Sequence, residues 1–246
     1  MGRLDEIINQ LLRERLGREK EYRDFLSMLL LARDEGKEQT MNRQMIRDEC
    51  VSFLIAGHET TASVLTWTFY LLIKNHEYYR RIHQEAKTIF EDDQPDFERS
   101  VLDNLNNASR TFKESLRLYP SVPVFGRAPV ETRSVGPYRI PAGVTLIISS
   151  YVLQRRSTLW DQPDVFRPER FEDGRSTEHS FSYIPFSAGA HMCTGKEFAL
   201  MEGPILISLL SRDVRFEPLG NLSHPGLDTA VNLEPADPVK LKVEQW

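Results

Sequence analysis

Ten residues gather the groups most able to do chemistry: Phe186-Ser-Ala-Gly189-Ala-His191-Met-Cys193-Thr-Gly195. The cysteine falls where a loop-like stretch turns helix-like. A helix N-terminus offers free N–H groups and a positive partial charge, which suit an anionic sulfur. Flanking glycines let backbone approach a flat ligand or fold tightly beneath the sulfur. A thiolate held this way can ligate iron or act as a nucleophile, and a thiol can simply pack. A second group is Glu114-Ser-Leu-Arg117. Its spacing puts carboxylate and guanidinium on one helical face, although exposed pairs of this kind are common and contribute little. A third is Ala56-Gly57-His58-Glu59-Thr60-Thr61, inside a long helical pattern. Glycine in a helix interior costs about 1 kcal/mol relative to alanine. Close approach of a ligand to the backbone, or helix packing through small residues, would explain it.

The elements that position these groups can be read from periodicity. Residues 4–16 carry Leu4, Ile7, Ile8, Leu11, Leu12 and Leu16 at helical spacing. A second amphipathic helix is expected from Tyr22 to Arg33, ending near Gly36. Residues 42–75 are apolar-periodic without a proline, predicting one long helix that crosses its domain. Helices are expected over Glu77–Phe90 and Leu105–Tyr119, with Pro95 between them and Pro120 and Pro123 as stops. Residues 121–151 are rich in turn signals and end in Val144-Thr-Leu-Ile-Ile-Ser-Ser-Tyr151, which predicts short hairpins and a buried strand. Residues 160–190 read as loop. A last helix is expected from near Cys193 to Ser211, then a tail with strand character at Val239–Val243. The fold class is mainly α with a small β portion.

Composition narrows the function. The chain has 246 residues, 40% hydrophobic and 27% charged, with a formal charge of −5. That is globular composition with enough length for a sizeable core. The acidic balance argues against nucleic-acid binding by phosphate neutralisation. Two cysteines, Cys50 and Cys193, exclude a disulfide framework, a four-cysteine zinc site and a multi-cysteine iron–sulfur cluster. No run of about 18 apolar residues exists and no signal pattern opens the chain, so it reads as soluble as given. Cys50, Trp67 and Phe69 read as core. The run Arg13–Arg23 reads as a solvated helical face, and His76, His83, His179 and His224 as surface residues without metal-ligand spacing.

The Cys193 stretch resembles the haem-binding signature of the cytochrome P450 family, with His191 where arginine is usual. The resemblance implies haem b as cofactor, Cys193 as its axial thiolate and metal ligand, and Phe186, Gly189, His191 and Gly195 as the enclosing loop. His191 would donate to a haem propionate. An axial thiolate pushes electron density onto iron and favours O–O cleavage. Glu114-Ser-Leu-Arg117 resembles the family's Glu-x-x-Arg. With Pro168-Glu169-Arg170-Phe171 downstream, Glu114, Arg117 and Arg170 are implied to form a buried network fixing the Cys193 loop. Ala56 to Thr61 resembles the distal-helix motif. Ala56 and Gly57 would leave room for O₂, Thr60 would donate to the bound oxygen while its hydroxyl interrupts the helix ladder, and Glu59 would relay protons. Arg127 stands where the family often places a propionate-binding arginine.

The motifs follow the family's order, and a complete member is roughly twice this length. Residues 1–246 are therefore expected to be a single domain, the C-terminal haem-binding half of a cytochrome P450 fold with its long central distal helix and no N-terminal half. The implied function is a haem-thiolate monooxygenase, inserting one atom of O₂ into a small apolar organic substrate. Its electrons would come from a reductase of the NADPH-reductase or ferredoxin type. The alternative is a truncated, non-catalytic haem- or partner-binding fragment. Substrate would touch Phe53, Ala56, Val122 to Phe125 and Thr229 to Val231. An intracellular location is expected, with membrane association if a preceding half carries an anchor.

Overall fold

A computed structural model gives the fold and describes residues 2–18, 21–22, 24–34, 41–91, 103–172 and 181–246. Among the described residues, the helices before the first strand are α1 (Gly2–Arg15), α2 (Phe25–Asp34), α3 (Arg43–Lys74), α4 (His76–Ile89) and α5 (Asn106–Leu118). Strands β1 (Val124–Arg127), β2 (Arg133–Val135), β3 (Tyr138–Ile140) and β4 (Leu146–Ser149) follow, then a short helix α6 (Ser150–Leu153). Helix α7 (Lys196–Asp213) and strands β5 (Val214–Pro218) and β6 (Leu241–Gln245) complete the described elements. The mainly α expectation is borne out. The residues form two compact units, Met1–Glu59 and Thr60–Trp246, with the division inside α3.

In the first unit, the helical spacing of α1 delivers Ile8 and Leu12 to a small core with Leu30 and Ile46. Cys50 packs at its edge, where burial first and then the Glu49 charge push its thiol pKa up. Arg47 pairs with both Asp5 and Asp48. The charged run from Arg13 is not one helical face: α1 ends at Arg15, and Arg18 pairs with Glu21 in the segment beyond. Residues 19, 20, 23 and 35–40 lie outside the described set, and with them the expected stop at Gly36; so do Pro95 and His179.

The second unit is built around α5. Tyr79, Ile82 and Ala86, on one face of α4, meet Ala108, Phe112 and Leu116 of α5, Val64, Phe69 and Leu72 of α3, and Ile207 of α7. Gly203 of α7 allows a close approach, since a Cβ there would lie 2.5 Å from the Phe112 ring. Trp67 is fully buried and stacks on Tyr119 at 3.9 Å, and its indole N–H donates to the Leu233 carbonyl at 2.8 Å. Both Trp67 and Phe69 are core, as expected.

The three two-stranded sheets are antiparallel. β1 pairs β4 with Val124 opposite Ser149, β2 pairs β3, and β5 pairs β6. Two expectations need correction. Residues 144–151 do not form one buried strand: Val144 and Thr145 precede β4, Ile147 is exposed, and Ser149 ends the strand by capping α6 through its Oγ. The tail strand lies two residues later than expected, in register with β5. Among the described residues, no helix is long and apolar enough to cross a membrane.

Candidate functional site

Cys193 lies on an exposed loop two residues before Gly195, the N-cap of α7. The loop is held by its own backbone. The Cys193 amide donates to the Phe186 carbonyl at 2.9 Å, Met192 N to Gly189 O at 3.1 Å, and Ser187 N to Ile184 O at 3.1 Å. Gly189 takes φ +76°, a left-handed conformation that favours glycine, and opens the short 3₁₀ turn Gly189–His191. Phe186 packs half-buried against the core, whereas Met192 and Phe198 are 48% and 59% exposed. A thiol is thus presented on a fixed loop with uncovered apolar side chains close to it in sequence.

The network behind the loop is buried and saturated. Arg117 clamps Glu114 in a bidentate pair at 2.7 and 2.8 Å, both side chains fully buried. Its three remaining N–H groups donate to the carbonyls of Gln154 (2.8 Å), Pro163 (2.6 Å) and Val165 (3.2 Å). All five guanidinium donors are therefore used. Glu114 also accepts from the Arg167 amide at 2.9 Å and from Arg170 Nε at 3.4 Å. Two charges removed from water survive because each has charged and dipolar partners on all sides. Glu114, Arg117 and Arg170 are brought together, the arrangement that the family resemblance implies. Tyr78 and Arg81 of α4 hold the neighbouring Glu169 at 2.8 and 3.0 Å, bracing the 3₁₀ turn Pro168–Phe171.

Three contributors escape sequence reasoning. Gln154, fully buried, donates to the carbonyls of Leu116 (3.1 Å) and Arg117 (3.0 Å) and accepts from the Ile184 amide at 2.9 Å. Tyr183 donates to the Lys113 carbonyl at 3.0 Å; burial drives its phenol pKa far up, with the Glu114 charge adding and Arg117 opposing. Ser187, at φ 63°, accepts from Arg127 Nη2 at 2.5 Å. Arg127 thus reaches the cysteine loop from β1, and its Nη1 donates to Gly126 O at 2.8 Å. Gln154 and Ser187 hold no fixed position of a motif, and Tyr183 stands among Phe181, Ile184 and Phe186 with nothing in sequence to single it out.

The distal-motif residues lie on α3, which is helical throughout Arg43–Lys74 with no break at Thr60. Ala56, Gly57, His58 and Glu59 are exposed, Thr60 half-buried. Among the described residues, a Cβ at Gly57 would meet nothing within 4 Å. The Thr60 carbonyl accepts from Ser121 Oγ at 2.7 Å. His83 is not a bare surface residue: its Nδ1 lies 2.9 Å from the Ser211 carbonyl and its ring stacks on Trp246. Among the described residues no histidine, cysteine and carboxylate groups cluster as a metal site.

The family model for Cytochrome P450 matches residues 2–242. The chain belongs to the cytochrome P450 family. It is 34% identical over 222 residues to Cytochrome P450 4c3 of Drosophila melanogaster, covering 89% of this chain and 41% of the relative. It is 39% identical over 197 residues to Carotene epsilon-monooxygenase, chloroplastic, of Arabidopsis thaliana, covering 78% and 35%. The crystal structure of the cytochrome P450DA heme domain superposes with a TM-score of 0.89 at 26% identity, covering 98% of this chain and 54% of that one. The chain thus spans under half the length of these curated relatives.

Haem is the family's cofactor, and the donor chemistry here fits it. A lone exposed thiol, apolar neighbours and a cationic Arg127 that reaches the loop from β1 suit an iron porphyrin with acidic side arms better than a multi-ligand metal ion.

Proposed function

We propose that residues 1–246 are the C-terminal part of one haem-thiolate monooxygenase domain. It inserts one oxygen atom from O₂ into an apolar organic substrate, using electrons from a reductase of the NADPH-reductase or ferredoxin type. The observation that carries this reading is the exposed Cys193, presented on a loop closed by its own amide and backed by the saturated Glu114–Arg117 pair.

Haem, when bound, supplies the oxygen-activating chemistry. Cys193 Sγ is its thiolate ligand, and Phe186, Gly189 and Gly195 shape the loop that fixes the sulfur. His191 and Arg127 donate N–H groups to the cofactor's carboxylates, Arg127 exchanging its Ser187 contact for that role. Ala56 and Gly57 keep the α3 backbone open. Thr60 Oγ1 would hold a proton there, and the Glu59 carboxylate would resupply it from water. Val122, Val124 and Val231, which are 41%, 45% and 77% exposed, support an apolar substrate. The carotene named for one relative has the same character.

A second reading is a non-catalytic fragment that binds haem or a partner without turnover. It is favoured by the exposed Leu54 and Ile55 of α3, an apolar pair that a partner could cover. Incubation of the haem-loaded chain with either reductase type, isotopically labelled O₂ and a panel of apolar compounds separates the two. The monooxygenase yields products carrying one labelled oxygen. Haem uptake with no product under any condition selects the fragment.

A further inference from the structure

We propose that Gln154 is the positioning residue that transmits the rigidity of the Glu114–Arg117 pair to the Cys193 loop. This rests on the reading of Cys193 as the haem ligand only for its consequence, because the coupling itself is a property of the polypeptide.

Gln154 stands at a junction of three elements. It is the C-cap of α6, which follows β4, and its amide N donates to Ser150 O at 2.9 Å. Its backbone carbonyl receives Arg117 Nη1. Its carboxamide N–H groups close on the last carbonyls of α5, Leu116 and Arg117, which helix geometry leaves without intrahelical partners. Its carboxamide oxygen takes the Ile184 amide. Both ends of one buried amide are thus satisfied, by α5 on one side and by the cysteine loop on the other.

From Ile184 the restraint passes along the backbone. Ile184 O holds Ser187 N, and Phe186 O holds Cys193 N. The aromatic anchors Tyr183 and Phe186 flank the same segment and pack on the core. Neither Glu114 nor Arg117 has a direct hydrogen bond to residues 184–193 among the described contacts; Gln154 bridges the two, beside the Tyr183 hydroxyl, which donates to the Lys113 carbonyl of α5 at 3.0 Å. Leucine or methionine would fill its volume but leave two helix carbonyls and the Ile184 amide unsatisfied, at a cost in local rather than uniform stability.

Residue-resolved amide hydrogen exchange on the haem-free 246-residue chain tests this. In Gln154→Met, the Ser187 and Cys193 amides exchange faster by about tenfold or more, the range expected for one lost buried hydrogen bond. The Phe112 and Leu116 amides of α5 stay within twofold of the unsubstituted chain. Unchanged exchange at Cys193, or an equal rise across α5, would overturn the proposal. If the variant does not fold, the unsubstituted chain serves. In a denaturant series, the Ile184, Ser187 and Cys193 amides then open with the same free energy and slope, and opening of Cys193 independently of Ile184 would overturn the coupling. Because no haem is present, a failure here is distinct from a failure of the ligand assignment, which the carbon monoxide spectrum reads.

Discussion

Cys193 is exposed, yet its position depends on residues that never touch solvent. Arg117 is the extreme case, a fully buried cation with five donors used. Arg117→Met removes one partner of a buried pair and leaves the Glu114 carboxylate with the Arg167 amide at 2.9 Å and the more distant Arg170 at 3.4 Å. The expected loss is about 3–5 kcal/mol of unfolding free energy, measured by denaturant unfolding; a loss below about 1 kcal/mol, the scale of a surface pair, would contradict the buried-network account. Thr60→Ala acts differently. It keeps haem binding but diverts reducing equivalents to peroxide, so peroxide formed per O₂ consumed rises; an unchanged ratio would remove Thr60 from proton delivery. These residues were legible because each belongs to a short motif of fixed spacing. Gln154 was not, since its partners lie 30 to 38 residues away and only the folded chain brings them together.

At the scale of elements, periodicity located every described helix longer than one turn, although α3 buries residues 67–73 on all sides rather than along one stripe. What it missed were endings. Ser149 converts an apolar run into a strand end and helix cap, a choice decided by β1 pairing and by the Ser149 Oγ bond to Val152 N. The α5–α7 packing is also invisible in sequence, although Gly203 in the middle of α7 marks it. Gly203→Ala would place a methyl 2.5 Å from the Phe112 ring, itself 1% exposed. Thermal or denaturant unfolding is expected to show a loss of about 1–3 kcal/mol, the usual cost of overpacking. Phe112→Leu introduced with it should cost less than the sum of the two single changes. Strict additivity would show that the two sites do not press on each other.

For the molecule as a whole, burial has shaped its titration. Tyr78, Tyr79 and Tyr119 have phenol pKa values pushed up to about 12, in each case chiefly by desolvation. A folded pKa above the unfolded value near 10 means that the unfolded chain releases its phenolic protons first as pH rises. Their contribution is fully present below about pH 10 and is lost progressively towards pH 12. Denaturant midpoints should fall across that window, and less steeply in Tyr79→Phe than in the unsubstituted chain; identical slopes would contradict the assignment to Tyr79. At this scale the chain carries the cysteine loop, its buried support and the long helix α3 within 246 residues, on which the proposal of a haem-thiolate site rests.

The absorption spectrum of the haem-reconstituted chain, reduced and exposed to carbon monoxide, tests that claim most directly. The account predicts a strongly red-shifted Soret band, absent in Cys193→Ala although helix content is unchanged. A band at the position of neutral ligation, a red-shifted band that survives Cys193→Ala, or no haem uptake at all would contradict it.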